Sequence, residues 1–443
     1  MKMLLKTACV AAISAGALCA APALADDCLL DTNHDGTATA GTDTDGGADS
    51  AGDSTAIACG TTATASPDAT AVGYYSYATG VGSVASGVAS IAAGTGDIAT
   101  GAFATTSTGT ASQNNGNIAI GASSGTVSGS GGGVSTTANG GNSIALGTAA
   151  QANGFDGLAL GAFSVASNSS AIAIGGDSND ADTLGAKATG SSSVALGADA
   201  VASGDYSTAL GHHASAAALQ ATALGDTASA AGTESTALGA YASSAGAYGT
   251  ALGLGASGGG ESSLALGDTA SAAGYVGTAA GRASAADGNG AIALGARATT
   301  FSSTQTNGNI AIGSATGIVA GPGQGDGTLT TANGGNSIAL GTGAQSTGAG
   351  ALALAASSTA SGARAIAIGT DGTDSDAFGA RALHADSIAL GTDTVANGDN
   401  AVAIGRQGTA TGQGAAAIGV STLASGFGST ALGSVTSATG DFA

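Results

Sequence analysis

Residues 235–253 read STALGAYASSAGAYGTALG. Thr-Ala-Leu-Gly closes at Gly239 and again at Gly253, fourteen residues on, and Gly246 stands midway between them. A beat of seven and fourteen is too short for a globular domain and too regular for a loop. It points to one small unit stacked many times.

The beat runs along most of the chain. An x-Ala-(Leu/Ile)-Gly unit ends at Gly147, Gly161 and Gly175, and then a shortened pair of steps closes at Gly185 and Gly197. It then runs every fourteen residues from Gly211 to Gly295 and resumes at Gly341, Gly391, Gly405, Gly419 and Gly433. Ala355 fills one Gly slot. In Ser143-Ile144-Ala145-Leu146-Gly147 the two large apolar residues stand two apart, which is strand spacing. After each Gly, positions +3 and +5 are small, as in Ala200 and Ala202 or Ala242 and Ser244. Each unit therefore reads as two short strands with a turn at each Gly. The reading expects Ile144, Leu146, Leu196, Leu238, Leu252, Ile338, Leu340 and Leu390 to point inward, facing a wall of Ala and Ser. Gly147, Gly197, Gly239, Gly246, Gly253, Gly341 and Gly391 are the expected turns. It also places Thr208, Thr222, Thr236 and Thr250 at the first inward slot, as a ladder of hydroxyls. That ladder either pairs along the stack or, alternatively, faces ice or another repetitive surface. A helix is excluded, because a Gly at every seventh position costs about 1 kcal/mol each against Ala.

Composition agrees. Among 443 residues there are 80 Gly, no Trp, and only 7 Tyr and 7 Phe, too few large side chains for an enzyme core of this length. Charged residues are 8 % and apolar ones 43 %, mostly Ala, which does not suit a solvated coil. Residues 1–25 resemble an export signal: Lys2 and Lys6, an apolar run from Ala8 to Ala21, and Ala23-Leu24-Ala25 before Asp26. Without them six basic residues face 29 acidic ones, a net charge of −23. That argues against nucleic acid and anionic membrane as partners. Cys28 and Cys59 then remain, and an exported chain favours a disulfide between them.

A longer duplication overlies the beat. TTANGGNSIALG at 136–147 recurs at 330–341, and AIAIGGDSNDADTLGAKA at 171–188 matches AIAIGTDGTDSDAFGARA at 365–382. Blocks 101–249 and 295–443 are two versions of one segment. In each, a Gly-rich excursion (122–142 and 314–336) breaks the beat and is expected to project as a loop, either as a binding element or as a tolerated insertion.

Asn142-Ser143-Ile144-Ala145-Leu146-Gly147, its copy at 336–341, and Ser387-Ile388-Ala389-Leu390-Gly391 resemble the head repeat of YadA-like trimeric autotransporter adhesins. The resemblance covers roughly 55–443, after the signal at 1–25 and an acidic Asp/Gly-rich segment at 26–54. It implies an all-β fold, a left-handed parallel β-roll with three chains side by side. It also implies display on a bacterial cell surface and non-enzymatic adhesion to an extracellular protein or glycan. A secreted structural protein of a biofilm matrix or surface layer is the alternative. The family continues into a stalk and a membrane barrel; this sequence shows neither heptads nor alternating barrel strands, and no stretch beyond the signal is long and apolar enough to span a membrane. The reading therefore expects no anchor in this chain.

Asp31, Asn33 and Asp35 open a D-x-N-x-D-G pattern that supplies calcium ligands, but the twelfth position is Thr42 rather than Glu. A calcium site or a solvated acidic linker both fit, and no other cofactor is expected. Asp177, Asp180 and Asp182, with Asp371, Asp374 and Asp376, make two acidic turns before Lys187 and Arg381. His212 and His213, read as strand neighbours, would point to opposite faces and not share an ion; His384 stands alone. Gly121-Ala-Ser-Ser-Gly125 and Gly253-Leu-Gly-Ala-Ser-Gly258 match short catalytic and nucleotide patterns at a frequency this Gly content produces by chance. Tyr74, Tyr75 and Tyr77 cap the first rungs or anchor a partner.

Overall fold

The computed structural model describes residues 48–50, 55–106, 115–124, 133–178, 185–301, 308–316, 327–372 and 377–443. The chain divides into two compact units, Met1–Ala200 and Val201–Ala443. Each is a parallel β-solenoid whose rungs carry one three-residue and one two-residue strand, the longer strand reaching five residues at Ala416–Val420 and Thr430–Ser434, and no helix occurs among the described residues. The strand reading of the beat holds throughout.

The first unit shows the register. Ile144, Ala145 and Leu146 lie opposite Leu158, Ala159 and Leu160 on the next rung. Gln151 and Ala152 lie opposite Val165 and Ala166 in the second sheet. The second unit repeats this fourteen residues at a time: Thr236, Ala237 and Leu238 against Thr250, Ala251 and Leu252, then Ser243 and Ser244 against Ser257 and Gly258. Hydrogen bonding continues through the turns. Gly239 donates to the Leu224 carbonyl at 2.8 Å, and Tyr241 to that of Asp226 at 2.8 Å. Each rung is thus held to its neighbours almost residue by residue, and stability accumulates locally along the stack.

The interior differs from the sequence reading. In the rung 235–248 the inward residues are Ser235, Ala237, Ala242 and Ser244, all fully buried. The Ala at the centre of each three-residue strand is buried in every rung, Ala145 and Ala339 among them. Ile144, Leu146, Ile338 and Leu340 are only half-buried, while Leu196, Leu252 and Leu390 are exposed. Leu238 is half-buried as well. All eight point outward, as do Thr208, Thr222, Thr236 and Thr250, each half-buried beside a buried Ala. Alternation decides this: if Ala145 faces in, its two neighbours face out. A rung of fourteen residues, nine of them outside its strands, closes around a lumen that four small side chains fill. Two Leu per rung would overpack it.

The turns explain the Gly beat. Gly239 has φ 133°, and a Cβ there would stand 2.4 Å from the Gly253 carbonyl oxygen of the next rung. The half-beat Gly246 has ordinary φ but stands even closer: a Cβ would meet the Gly260 oxygen at 1.9 Å. Most turns also place a side-chain-bearing residue in the left-handed region, such as Tyr241 at φ 57° and Tyr248 at φ 59°, where others use Gly, as at Gly255 with φ 60°. At Thr227 (φ 55°) and Val276 (φ 53°) that residue is β-branched, where the conformation is least comfortable.

The excursions are shorter than the sequence implied. Thr137–Ala138 and Thr331–Ala332 are already strands of the second sheet, paired with Gln151–Ala152 and Gln345–Ser346. The three-residue strands skip the excursion: Ile118 lies opposite Ile144, and Ile310 opposite Ile338. Only 125–132 and 317–326 lie outside the described residues.

Candidate functional surface

Three outward features could meet a partner: the outer face of the longer strands, the turns, and the excursion necks. On the first, Ile or Val and Leu or Ile stand side by side on successive rungs. In the first unit these pairs include Ile118 with Ile120, Ile144 with Leu146, and Leu158 with Leu160. In the second they run from Ile292 with Leu294 to Val402 with Ile404. Leu210 keeps 37 % of its surface exposed and Leu266 keeps 41 %. Repeated at rungs about 4.8 Å apart, these pairs make an apolar stripe within each unit, a feature that marks interaction surfaces. Between Thr208 and Leu252 the outer column turns to Thr, and the second sheet carries Ser215, Ser229, Ser243 and Ser257.

The excursion necks are built with buried polar side chains. Ser124 and Val134 clamp the first neck: Ser124 donates to the Val134 carbonyl at 2.9 Å, and the Val134 amide donates to Ser124 Oγ at 3.1 Å. Thr316 and Thr328 repeat the clamp in the second copy, at 2.9 Å in both directions. Thr136 Oγ1 donates to the carbonyls of Ala122 and Gly147, and Thr330 Oγ1 to those of Ser314 and Gly341. Asn117 and Asn309 are fully buried in the slot that most other rungs fill with Ser, Ala or Gly, and that Asp97 fills on the rung before Asn117. Asn117 Oδ1 accepts from Ser143 Oγ at 2.8 Å and the Gly141 amide at 2.9 Å; Asn309 Oδ1 accepts from Ser337 Oγ at 3.0 Å. Their longer reach serves the rung beside which the chain leaves and returns. Sequence reasoning missed them, although each precedes Ile-Ala-Ile-Gly just ahead of an excursion in both blocks.

The turns carry the aromatics. Tyr206 is 62 % exposed and Tyr241 60 %. The Tyr74, Tyr75 and Tyr77 group splits. Tyr74 and Tyr75 sit exposed in a turn with ring centroids 4.4 Å apart, whereas Tyr77 lies half-buried on a strand opposite Ile91. A hydrogen bond with Tyr75 holds the Tyr74 phenol above its usual pKa. His212 and His213 also lie in a turn rather than on a strand, with His213 at φ 52°. Their rings are 3.9 Å apart, so the argument that they must face opposite ways fails.

The acidic turns are tied down by later carboxylates. The Ser178 amide donates to Asp199 Oδ2 at 3.2 Å, and the Gly372 amide to Asp393 Oδ1 at 2.7 Å. Arg381 lies over the Phe378 ring, 5.2 Å from its centroid. Asp180, Asp182, Asp374 and Asp376 lie outside the described residues, as do Asp31, Asn33, Asp35, Cys28 and the signal-like 1–25. Cys59 is disulfide-bonded. Gly253–Gly258 begins at a rung turn and runs into a two-residue strand rather than a helix, so it lacks the strand-to-helix setting its pattern requires; Gly121 also lies at a rung turn, and Gly125 lies outside the described residues. No helix among the described residues is long and apolar enough to cross a membrane.

These features define a parallel β-solenoid that presents the same kinds of side chain on its outer face rung after rung. Comparison with known families agrees: the YadA head domain repeat matches at 65–104, 133–178, 188–214, 216–256, 332–354, 356–371, 385–407 and 410–443, more than half of the chain. The chain belongs to that family. No curated protein matches it.

Proposed function

We propose that this chain is the head of a trimeric surface adhesin, exported and displayed on the bacterial cell, and that it is not an enzyme. The observation that carries this reading is the half-exposed Ile/Leu stripe on the outer face of the longer strands. A single chain leaves these side chains partly in water; two further copies would cover them, and family membership supports three. Adhesion to an extracellular protein or glycan then falls to what a trimer leaves outside, the aromatic turns and the two excursions. The excursions recur with the same clamped necks in both copies of the duplication, which favours a kept function over a tolerated insertion.

The test is binding of the purified mature chain to arrays of glycans and matrix proteins, with and without residues 125–132 and 317–326. Saturable binding that falls at least tenfold on deletion, with the far-ultraviolet circular dichroism unchanged, supports the reading. Absence of binding by the intact, folded chain, together with self-assembly into larger material, would replace it with the structural matrix role.

A further inference from the structure

The turn after Gly211 carries the arrangement with the clearest unassigned chemistry. His212 and His213 are its two central residues, and the left-handed conformation of His213 brings the rings together. A ring nitrogen of each lies within 4.8 Å of the other. Two nitrogens bound to one tetrahedral metal at 2.0–2.1 Å are separated by about 3.3 Å. Rotation of the side chains, His212 being half-exposed, can close that difference.

The next rung supplies the orienting group. Nδ1 of His212 lies 3.1 Å from Oδ1 of Asp226. Asp226 is held in turn by Thr227, whose Oγ1 donates to the same oxygen at 3.4 Å. The rungs themselves are fixed, since the Thr227 amide donates to the His212 carbonyl at 2.8 Å. A carboxylate accepting from Nδ1–H selects the tautomer whose Nε2 lone pair is free to ligate, and raises the basicity of that nitrogen.

We infer that His212 and His213 form a surface site for a borderline divalent transition metal of the Zn2+ class, with Asp226 as the positioning residue for His212. Two imidazoles select such ions over Ca2+ and Mg2+, which take oxygen ligands. Water completes the coordination. The site is independent of the adhesion reading, because metal binding there uses neither the apolar stripe, the tyrosine side chains nor the excursions.

The experiment is calorimetric titration of the intact mature chain with Zn2+, and with Ca2+ as the hard-ion control. His213→Asn keeps a residue that tolerates the left-handed region and removes the imidazole. Asp226→Asn removes the orienting charge, and His384→Asn controls for unspecific His binding. The expected result is one Zn2+ per chain at this turn, undisplaced by Ca2+. Affinity should fall at least tenfold in His213→Asn and about 10–100-fold in Asp226→Asn, and stay unchanged in His384→Asn. Nitrogen-15 spectra of the ring should show Nε2 of His212 shifting on metal addition while Nδ1 stays protonated, a signature a merely structural Asp226 would not give. Zn2+ binding that is absent, or unaltered by His213→Asn, overturns the proposal.

Discussion

Ala355→Gly should stabilise this protein, although it removes a side chain. Ala355 occupies the slot that Gly holds on other rungs, where φ runs from 121° at Gly295 to 152° at Gly369. Its own φ is 102°, a backbone conformation that only Gly adopts at low cost. Such strain is worth about 1–3 kcal/mol. Against it stands the added freedom of Gly in the unfolded chain, about 0.4–1 kcal/mol. The surrounding hydrogen bonds use backbone atoms of residue 355 and survive the change. Its amide donates to the Leu340 carbonyl at 2.8 Å, and its carbonyl accepts from Ser358 Oγ at 2.8 Å and the Ser358 amide at 3.3 Å. The net gain is about 0.5–2 kcal/mol. Because rungs open locally, native-state hydrogen exchange reads it best: amides at 355 and 358 should exchange about 2–30-fold more slowly. Ala356→Gly is the control, with the same added flexibility and no left-handed strain to relieve. Faster exchange in Ala355→Gly, or behaviour equal to Ala356→Gly, would refute the account of the turn.

Three further perturbations probe separate parts of the fold. Ala237→Leu should unfold its rung, by about 1–3 kcal/mol or more of overpacking, while Leu238→Ala leaves the single-chain fold within about 1 kcal/mol; equal destabilisation in urea titrations would reverse the inside and outside assigned here. Gly239→Ala should cost about 3 kcal/mol or more, since its φ of 133° and the Gly253 oxygen 2.4 Å from the new Cβ act together; a thermal midpoint within 1 °C of the parent would contradict it. Burial raises the pKa of Asp287, so its folded form holds the proton more tightly than the unfolded chain does. Its contribution favours folding below the unfolded pKa and is lost as pH rises through the raised value. Asp287→Asn should therefore raise the melting temperature at pH 7 and change it little near pH 3; a shift of the same size at both would remove the charge as its cause.

Period, strand type and turn positions were legible in STALGAYASSAGAYGTALG because each depends on local spacing alone. What was misread was the facing. Hydrophobicity argues that Leu238 is inside and Ala237 incidental, yet lumen size overrules it. A usable signal was present: the slot of Ala237 is Ala in every rung, while its neighbours vary among Thr, Ile, Leu, Val, Ser, Ala and Cys. Constancy of volume marks a packed lumen better than apolarity does. The His pair was misplaced for a related reason, since strand alternation was applied across a turn. Asn117 and Asn309 went unnoticed because their value lies in reaching residues 26 and 28 positions away. No short-range pattern announces a partner at that distance. The clamped excursion necks were hidden likewise, since Ser124 with Val134 and Thr316 with Thr328 pair only once the second sheet resumes.

The central claim is that the lumen is small and closed by Ala, so the larger apolar residues serve contacts between chains. Sedimentation equilibrium of the mature chain tests it most directly. The account predicts a species of three times the chain mass, driven toward single chains by replacing Leu340, Leu354 and Leu390 with Ser. A parent protein that sediments with the mass of one chain would contradict it.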